Sequence, residues 1–422
     1  MAESIKAPRG VRDILPEDSW KWGHVLAVTQ KMAELYAYRE IHLPVFEHTE
    51  LFARGIGEAT DVVEKEMYTF TDKGGRSITL RPELTASMVR SYLEHSMSGG
   101  RQPVKLWGVG PMFRYERPQK GRYRQFWQLD FESLGSENAL VDVDTIMTAV
   151  ELFRTLGMSN LEVVLNSVGC PVCRPAYRKT LTEFIGDHRG DLCPTCENRF
   201  NRNPLRILDC KDEKCKRITD EAPAIFESLC ESCSRHFEAV TSGLDDLGVA
   251  YHIDKRLVRG LDYYTKTAFE VQSGDLGAQN AVCGGGRYDN LAEAIGGPHV
   301  PGVGFAAGLD RIVLTMEQQN CSFGREPMPQ AYVICADETA RPEALELLYA
   351  LRRAGVSADM DYMGKSLKAQ FKAAGSGSSV ACVFGGNEVS KGIVTLKNLM
   401  TSEQIEAPRD QAVAQVMAVI DR

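Results

Sequence analysis

The stretch MFRYERPQKGRYRQFWQLDFE, residues 112–132, decides the fold class of this chain of 422 residues. Apolar and polar residues alternate in its two ends, as is typical of antiparallel strands, and the polar loop RPQKGRY separates them. Seven Lys or Arg residues fall between 101 and 124 among interleaved aromatic residues, with Glu116 as their only acidic neighbour. Arginine forks suit phosphate oxygens, and aromatic rings stack on bases. The stretch therefore predicts either a nucleotide or nucleic-acid site, or a solvated hairpin tip whose aromatic residues face the core.

The composition is that of a globular protein with two or three domains, because 43% of the residues are hydrophobic and 25% are charged over a long chain. The N-terminus lacks the basic-then-apolar layout of a secretory signal. No apolar run approaches the roughly 20 residues that cross a bilayer. We therefore expect a cytoplasmic protein with no membrane contact. The net charge of -8 argues against nonspecific coating of nucleic acid, so any RNA contact must be local.

The flanking segments extend the antiparallel pattern. A helical periodicity from Ser19 to Tyr38 precedes a predicted strand at 41–46, whose proline suits an edge strand or a subunit boundary. A predicted hairpin between Tyr68 and Leu80 leads into a helix over 84–95. Strands resume from 249 to 287, and we expect an α+β core, an antiparallel sheet flanked by helices. Beyond a linker loop, strands and helices alternate in a compact α/β domain of about 90 residues.

Eight of the twelve cysteines fall in a charge-rich block between residues 170 and 233. They form four pairs, three of them with the CxxC spacing that places two thiolates on one tetrahedral metal ion. The pairs are Cys170 and Cys173, Cys193 and Cys196, Cys210 and Cys215, and Cys230 and Cys233. Four pairs could make two structural Zn²⁺ sites, and the spacing leaves the order of pairing open. The alternative is surface or packing cysteines that bind no metal.

The ordered set of these segments resembles the class II aminoacyl-tRNA synthetases, and among them the histidyl-tRNA synthetase family, from about residue 5 to the C-terminus. The family's first motif aligns with ELYAYREIHLPVF and places its dimer-interface proline at Pro44. A glycine common in that motif is Ala37 here. The second motif aligns with residues 112–132 and the third with GVGFAAGLDRI at 302–312. RGLDYYT at 259–265 and GGGRYD at 284–289 are signatures of the histidyl enzymes.

The resemblance implies a class II synthetase core interrupted by a cysteine-rich insertion and followed by an anticodon-binding domain. The implied boundaries are 1–168 for the first part of the core, 169–245 for the insertion, 246–322 for the second part of the core, 323–330 for the linker and 331–422 for the α/β anticodon-binding domain. It also implies a homodimer.

Residue roles follow from the same resemblance. Arg114, Arg259 and Arg311 would be the catalytic residues, with Arg259 meeting the α-phosphate of ATP opposite Arg114 and Gly260 leaving room between them. The ATP-binding set would be Arg114, Glu116, Phe126 and Arg311. The histidine-binding set would be Glu83, Thr85, Gln128, Glu132, Tyr263 and Tyr264. Neighbours in a β-strand point to opposite faces, so we expect only Tyr264 of the two tyrosines to face the imidazole.

The implied reaction joins histidine to ATP as histidyl-adenylate and then moves the histidyl group to the 3′ end of tRNA(His). ATP and Mg²⁺ would be required, with possible structural Zn²⁺. One alternative is a histidine-binding regulatory paralogue from histidine biosynthesis, although such paralogues typically lack the C-terminal domain and parts of the signatures, which are present here. Another is a zinc-dependent RNA-binding protein without catalysis. That alternative gives no role to Glu83, Gln128, Glu132 and Arg311.

Overall fold

The computed structural model describes residues 4–58, 60–119, 121–274 and 281–420. The chain forms two compact units, Met1–Gly324 and Arg325–Arg422. Each unit has its own cluster of buried apolar side chains, so each is described by itself.

The first unit is built on a large sheet. Its strands are β1 (Arg39–Glu40), β2 (Phe46–His48), β3 (Tyr68–Thr71), β4 (Ser77–Leu80), β5 (Val104–Phe113), β6 (Gln125–Leu134), β7 (Leu161–Ser167), β8 (Tyr251–Ile253), β9 (Thr265–Ser273), β10 (Ala281–Arg287) and β11 (Gly302–Gly308). Eight of them pair in the order β1-β5-β6-β11-β10-β9-β7-β8, and β2-β4-β3 form a small second sheet. Among the described pairs of the large sheet, β1–β5 and β7–β8 are parallel and the rest antiparallel. The predicted antiparallel core is confirmed.

Helices cover both faces of this sheet. They are α1 (Pro16–Leu35), α2 (Thr49–Ile56), α3 (Thr85–Glu94), α4 (Ala139–Thr155), α5 (Arg174–Asp187), α6 (Pro194–Arg202), α7 (Glu213–Glu221), α8 (Glu231–Asp246), α9 (Leu291–Ala294) and α10 (Leu309–Gln318). Helices α1, α4 and α10 pack with Phe131, Phe269 and Phe305 on one face, while α3 belongs to a separate cluster. Because side chains alternate along β6, the residues on either side of Phe131 point toward the α3 face.

The cysteine-rich block forms a small helical body. Helices α5, α6 and α7 surround their own apolar cluster, which includes Tyr177, Leu181 and Ile185. By contrast, α8 contributes Phe237 and Val240 to the core of the main sheet. The block is therefore anchored on the core through its last helix, and the boundaries given above stay predictions.

The second unit is a mixed sheet with helices. Its strands are β12 (Ala331–Cys335), β13 (Ala358–Met360), β14 (Val380–Phe384), β15 (Ile393–Asn398) and β16 (Gln404–Pro408), in the order β13-β12-β14-β15-β16. Its helices are α11 (Arg341–Arg353), α12 (Leu367–Ala374), α13 (Gly386–Lys391) and α14 (Ala412–Ile420). The predicted α/β alternation is confirmed, with β16 and α13 as elements that the pattern did not indicate.

The predicted strand at 41–46 is wrong. The strand that pairs with β5 is β1, which begins two residues before the predicted strand and ends at Glu40. Strand β2 begins only at Phe46. Pro44 has no N–H to donate to a ladder, which fits its position between the two strands. Ala37, where the family commonly has glycine, adopts a φ of 59°. That left-handed conformation favours glycine, which explains the family's preference at this turn.

The length and apolar character of the helices bear on the prediction about membranes. Within the ranges that the structure describes, no helix has the length and apolar character needed to cross a bilayer.

Candidate active site

One cavity of about 300 Å³ on the α3 face of the sheet collects the candidate residues outside the cysteine block. Its walls come from five separate parts of the chain: Val62 after α2, the start of α3, the β5–β6 hairpin, the segment before β9 together with Glu270 of β9, and β10 to α10. The cavity is lined by Glu83, Thr85, Arg114, Glu116, Phe126, Gln128, Glu132, Arg259, Tyr263, Tyr264 and Arg311. Candidate residues as far apart in sequence as Glu83 and Arg311 thus form a single site.

Buried carboxyl groups form one end of the cavity. Glu132 is 1% exposed. Its Oε1 accepts a hydrogen bond of 2.6 Å from the Thr85 hydroxyl, and its Oε2 accepts one from Tyr288. Glu83 accepts from the backbone N–H groups of Thr85 and Ala86, each at 2.8 Å, at the start of α3. A carboxylate at a helix N-terminus is stabilised by those N–H groups.

Burial raises the pKa values of the carboxyl groups at this end of the cavity. It raises the pKa of Glu132 to about 8, although the hydrogen bonds from Thr85 and Tyr288 lower it. Burial likewise raises the pKa of Glu83 and raises that of neighbouring Asp130 well above its usual range. Desolvated carboxyl groups that lie close together resist ionising at the same time. A ligand that donates N–H groups or brings positive charge would favour their ionised forms.

The two tyrosines of RGLDYYT lie on the same side, contrary to the expectation of opposite faces. Strand β9 begins only at Thr265, so Tyr263 and Tyr264 belong to the turn that precedes it. Their ring centroids are 4.6 Å apart, and both rings line the cavity. The hydroxyl of Tyr263 is 3.5 Å from Oε2 of Glu83. The expectation was wrong because it assumed that both tyrosines lie in a strand, and the two-residue alternation of a strand does not apply to a turn.

Three arginines form the other end. Arg114 donates to the carbonyl of Pro82 at 2.9 Å, and its guanidinium lies 5.4 Å from the ring centroid of Phe126. Arg259 pairs with Glu270 at 2.6 Å. Arg311 donates to the carbonyl of Ala281.

A glycine does make room for Arg259, but it is Gly284. A side chain at Gly284 would overlap the Arg259 guanidinium, whereas Gly260 faces Arg206 of the cysteine block. The role expected of Gly260 was therefore assigned to the wrong glycine.

The loop of the β5–β6 hairpin contributes to the lining of the cavity. Glu116 forms an ion pair of 3.2 Å with Arg122, and both residues line the cavity. Gln119 and Arg122 form a small antiparallel bridge across the loop tip. Lys120, one of the basic residues of this loop, lies outside the described residues.

Two further polar residues were not singled out from the sequence. Asp130 accepts from Gln128 at 3.0 Å, its Oδ2 has no partner, and it is fully buried. Gln128, Asp130 and Glu132 alternate on β6, so the period-2 pattern could have indicated Asp130. Tyr288 lies in the quoted GGGRYD stretch, but its pairing with Glu132 joins residues 156 positions apart and has no local signal.

The cysteines form two clusters, and the structure resolves the pairing that the spacing left open. One cluster, called outer because its members flank the others in sequence, consists of Cys170, Cys173, Cys230 and Cys233. The inner cluster consists of Cys193, Cys196, Cys210 and Cys215. Neighbouring sulfur atoms are 3.6 to 3.8 Å apart. A tetrahedral Zn²⁺ with Zn–S bonds of about 2.3 Å requires sulfur separations of about 3.8 Å. A disulfide would require about 2.05 Å. The donor set fits Zn²⁺.

Comparison with known proteins gives the family. The model of the histidyl-tRNA synthetase family matches residues 10–171 and 207–312, and that of an anticodon-binding domain matches 330–418. The chain belongs to the histidyl-tRNA synthetase family. The unmatched stretch 172–206 carries Cys173, Cys193 and Cys196, so the family match alone does not imply either cluster.

Individual members of the histidyl-tRNA synthetase family match over nearly their whole length. A histidine–tRNA ligase of Pelotomaculum thermopropionicum is 51% identical over 94% of this chain and 94% of its own. The crystal structure of apo histidyl-tRNA synthetase of S. aureus has a TM-score of 0.83 and 38% identity, covering 98% of this chain and 100% of that one. A protein of Bacillus halodurans described as an ATP phosphoribosyltransferase regulatory subunit/histidyl-tRNA synthetase has a TM-score of 0.66 and 21% identity, covering 91% and 100%. That last likeness shows the fold alone.

Proposed function

We propose that this chain is a histidine–tRNA ligase, which activates histidine with ATP and transfers the histidyl group to the 3′ end of tRNA(His). The observation that carries the proposal is the single cavity with hydrogen-bonded carboxyl groups at one end and three arginines at the other. An amino acid with a nitrogen-bearing ring suits the first end, and a triphosphate suits the second.

Histidine would be held at the carboxyl end. An imidazole has two ring nitrogens that need partners when buried, and Glu132 and Tyr264 offer an acceptor and a hydroxyl. Glu83, Thr85 and Gln128 would bind the α-amino group and complete the pocket, with Tyr263 beside Glu83. A substrate that lacks a matching donor would leave buried polar groups unpaired, which is the basis of strong discrimination.

ATP would be held at the arginine end. Phe126 offers a ring for stacking on adenine, and Glu116 is a carboxylate acceptor for its amino group. The ion pair between Glu116 and Arg122 would then be exchanged for contacts with the nucleotide. Arg311 would bind the far end of the triphosphate. Mg²⁺ would enter on the phosphate oxygens, and Glu270 is a carboxylate of the cavity wall suited to it.

The chain's contribution to the first step would be alignment and neutralisation of charge. Arg114 and Arg259 would contact the α-phosphate from two sides, while the carboxyl end holds the histidine carboxylate in line with the phosphorus. Attack of that carboxylate oxygen forms histidyl-adenylate and releases pyrophosphate. Fixed cations aimed at developing charge, in a site that excludes water, supply most of the acceleration in such reactions.

The second step would need tRNA at the same site. The basic loop 117–125 of the hairpin is proposed to contact its acceptor end, because Arg117 and Arg122 are exposed and Arg122 lines the cavity. The proposed domain 331–422, which lies within the second unit, would bind the anticodon. The cytoplasm is the proposed compartment, since the substrates meet there, and a homodimer is the proposed assembly.

Exchange of labelled pyrophosphate into ATP tests the first step. We expect exchange that depends on histidine and is not supported by other amino acids. A protein that binds histidine without exchange would instead be the regulatory paralogue. Light scattering should give about twice the chain mass, and a monomer at working concentration would contradict the dimer.

We further propose that each cysteine cluster binds one structural Zn²⁺. Four thiolates per cluster and sulfur separations close to the edge of a ZnS₄ tetrahedron support the assignment. Metal analysis of the purified protein should find two zinc ions per chain. A folded protein that contains no metal would contradict it.

A further inference from the structure

The cysteine block contacts the back of the RGLDYYT segment, away from the cavity. Arg174 directly follows Cys173 of the outer cluster and begins α5. Its Nε donates to the carbonyl of Val168 at 3.0 Å, and its Nη2 donates to the carbonyl of Tyr264. One guanidinium fork therefore joins the metal-binding loop to the backbone of a residue that lines the histidine end of the cavity.

The outer cluster is fixed to the same part of the sheet by backbone hydrogen bonds. The N–H of Val168 donates to the carbonyl of Lys266 at 2.7 Å, and the N–H of Lys266 donates to the carbonyl of Gly169 at 2.8 Å. Gly169 has a φ of 64°, and a Cβ there would lie 2.9 Å from Sγ of Cys173. The metal-binding loop therefore begins beside Lys266, which lies at the start of β9 and two residues after Tyr264.

The inner cluster reaches the segment from another direction. Asn203, one residue beyond α6, donates to Oδ1 of Asp262 at 2.9 Å. Helix α6 carries Cys196 and also pairs with the segment that follows α2, through Arg199 with Asp61 at 3.1 Å and Arg202 with Glu64 at 2.6 Å. The block therefore holds both Asp262 and Tyr264, on the two sides of Tyr263.

We propose that the two zinc sites position the histidine-recognition residues 262–264, through Arg174 on the Tyr264 carbonyl and Asn203 on the Asp262 carboxylate. The inference rests on the proposed ligase function and adds to it a link between metal binding and amino-acid selection. Arg174 and Asn203 act as positioning residues, because they reach the substrate only through the backbone and Asp262.

The link depends on metal because α5 to α7, the part of the block that presents Arg174 and Asn203, pack around only a small apolar cluster of their own. Metals or disulfides commonly supply the remaining stability of bodies with so small a core. Without zinc, the eight thiols have no common partner, and the loops that present Arg174 and Asn203 lose their anchor. The ATP end is less dependent on the block, since Arg114 follows β5, Phe126 lies on β6 and Arg311 lies on α10. Arg259 is held by its ion pair with Glu270 of β9.

Arg174→Ala in the full chain is the direct test. The charge-assisted hydrogen bond to the Tyr264 carbonyl is lost, so we expect histidine affinity, measured by calorimetry, to fall about tenfold or more. ATP affinity should change less than about twofold, and the zinc content should stay at two per chain. Added ethylguanidinium should restore part of the histidine affinity. Lys179→Ala, an exposed residue of the same helix, is the matched control and should match the wild type.

Hydrogen exchange supplies a readout independent of activity. Amides of residues 257–267 should exchange faster in Arg174→Ala, and also when zinc is withdrawn stepwise from the wild type by a chelator. Cys230→Ser and Cys210→Ser, one in each cluster, should each lose one zinc and show the same faster exchange. If either cysteine variant fails to fold, Arg174→Ala and the chelator series still decide.

Three results would overturn the inference. The first is Arg174→Ala with both zinc ions and wild-type histidine affinity, and the second is zinc-depleted protein with unchanged exchange at 257–267. Equal losses of histidine and ATP affinity would also contradict it, because they would indicate a general loss of structure. Failure of the ligase proposal is separate, since it would appear as wild-type protein without histidine-dependent pyrophosphate exchange.

Discussion

Glu132 is fully buried, and its two carboxylate oxygens accept hydrogen bonds from Thr85 and Tyr288. A side chain on Gly304 would overlap that carboxylate, so the glycine of β11 leaves the space that Glu132 fills. The family motif predicted that Glu132, Thr85 and the tyrosines belong to one site. The partner Tyr288 and the space at Gly304 could not be predicted, because they depend on the register between distant strands.

Tyr264→Phe tests the recognition of the imidazole. The variant keeps the ring and removes one hydroxyl, so the KM for histidine in pyrophosphate exchange should rise about 5- to 10-fold. The KM for ATP should change less than about twofold. Tyr362→Phe, at an exposed position of the second unit, is the control. Equal loss for both substrates would show that Tyr264 has a structural role only.

Glu132→Gln tests the raised pKa. In the unliganded wild type the pKa of this carboxyl is about 8 when folded and near 4.5 when unfolded. Between these values the folded state binds more protons, so the stability contributed by this group is complete below pH 4.5 and is lost as the pH rises toward 8. The apparent melting temperature of Glu132→Gln should therefore depend less on pH between 5.5 and about 8. An unchanged slope would contradict the assignment.

At the scale of elements, hairpins and amphipathic helices were predictable, and contacts between elements were not. The β5–β6 hairpin and α3 lie where the patterns indicated, because short-range periodicity determines them. Arg287 of β10 appeared in the sequence as part of a signature, yet it is fully buried and bonds Asp142 of α4 at 3.1 Å and Asp289 at 3.1 Å. No local pattern links residues 142 and 287.

Arg287→Met tests this buried ion pair. Removing the cation leaves Asp142 buried without its main partner, so the free energy of unfolding should fall by about 3 to 5 kcal/mol. Arg154→Met removes an exposed arginine that pairs with Glu151 on α4, and it should cost less than about 1 kcal/mol. Chemical denaturation of both variants measures the difference. Similar values for the two would refute a structural role specific to Arg287.

At the scale of the whole molecule, the pairing of the cysteines shows where sequence reasoning ends. Three of the four pairs have the same CxxC spacing, so their spacing allows several arrangements. The folding of α5 to α8 selects the nested one, in which Cys193 to Cys215 lie between the two halves of the outer cluster. The division into two units, in contrast, was visible as a change from antiparallel to alternating pattern near the linker.

A chain ending at Gly324 tests the division of labour between the two units. The first unit contains the complete cavity, so histidine-dependent pyrophosphate exchange should stay within about twofold of the full chain. Charging of tRNA should fall about a hundredfold or more, because the proposed anticodon-binding unit is absent. Loss of exchange in a folded truncated protein would contradict the placement of the whole activation site in the first unit.

The central claim is tested most directly by the transfer of labelled histidine to tRNA by the purified full-length chain. We predict ATP-dependent labelling of the 3′ end of tRNA(His), with no labelling when another amino acid replaces histidine, and loss of labelling in Arg259→Ala. A correctly folded protein that binds histidine and ATP but leaves the tRNA unlabelled would contradict the account.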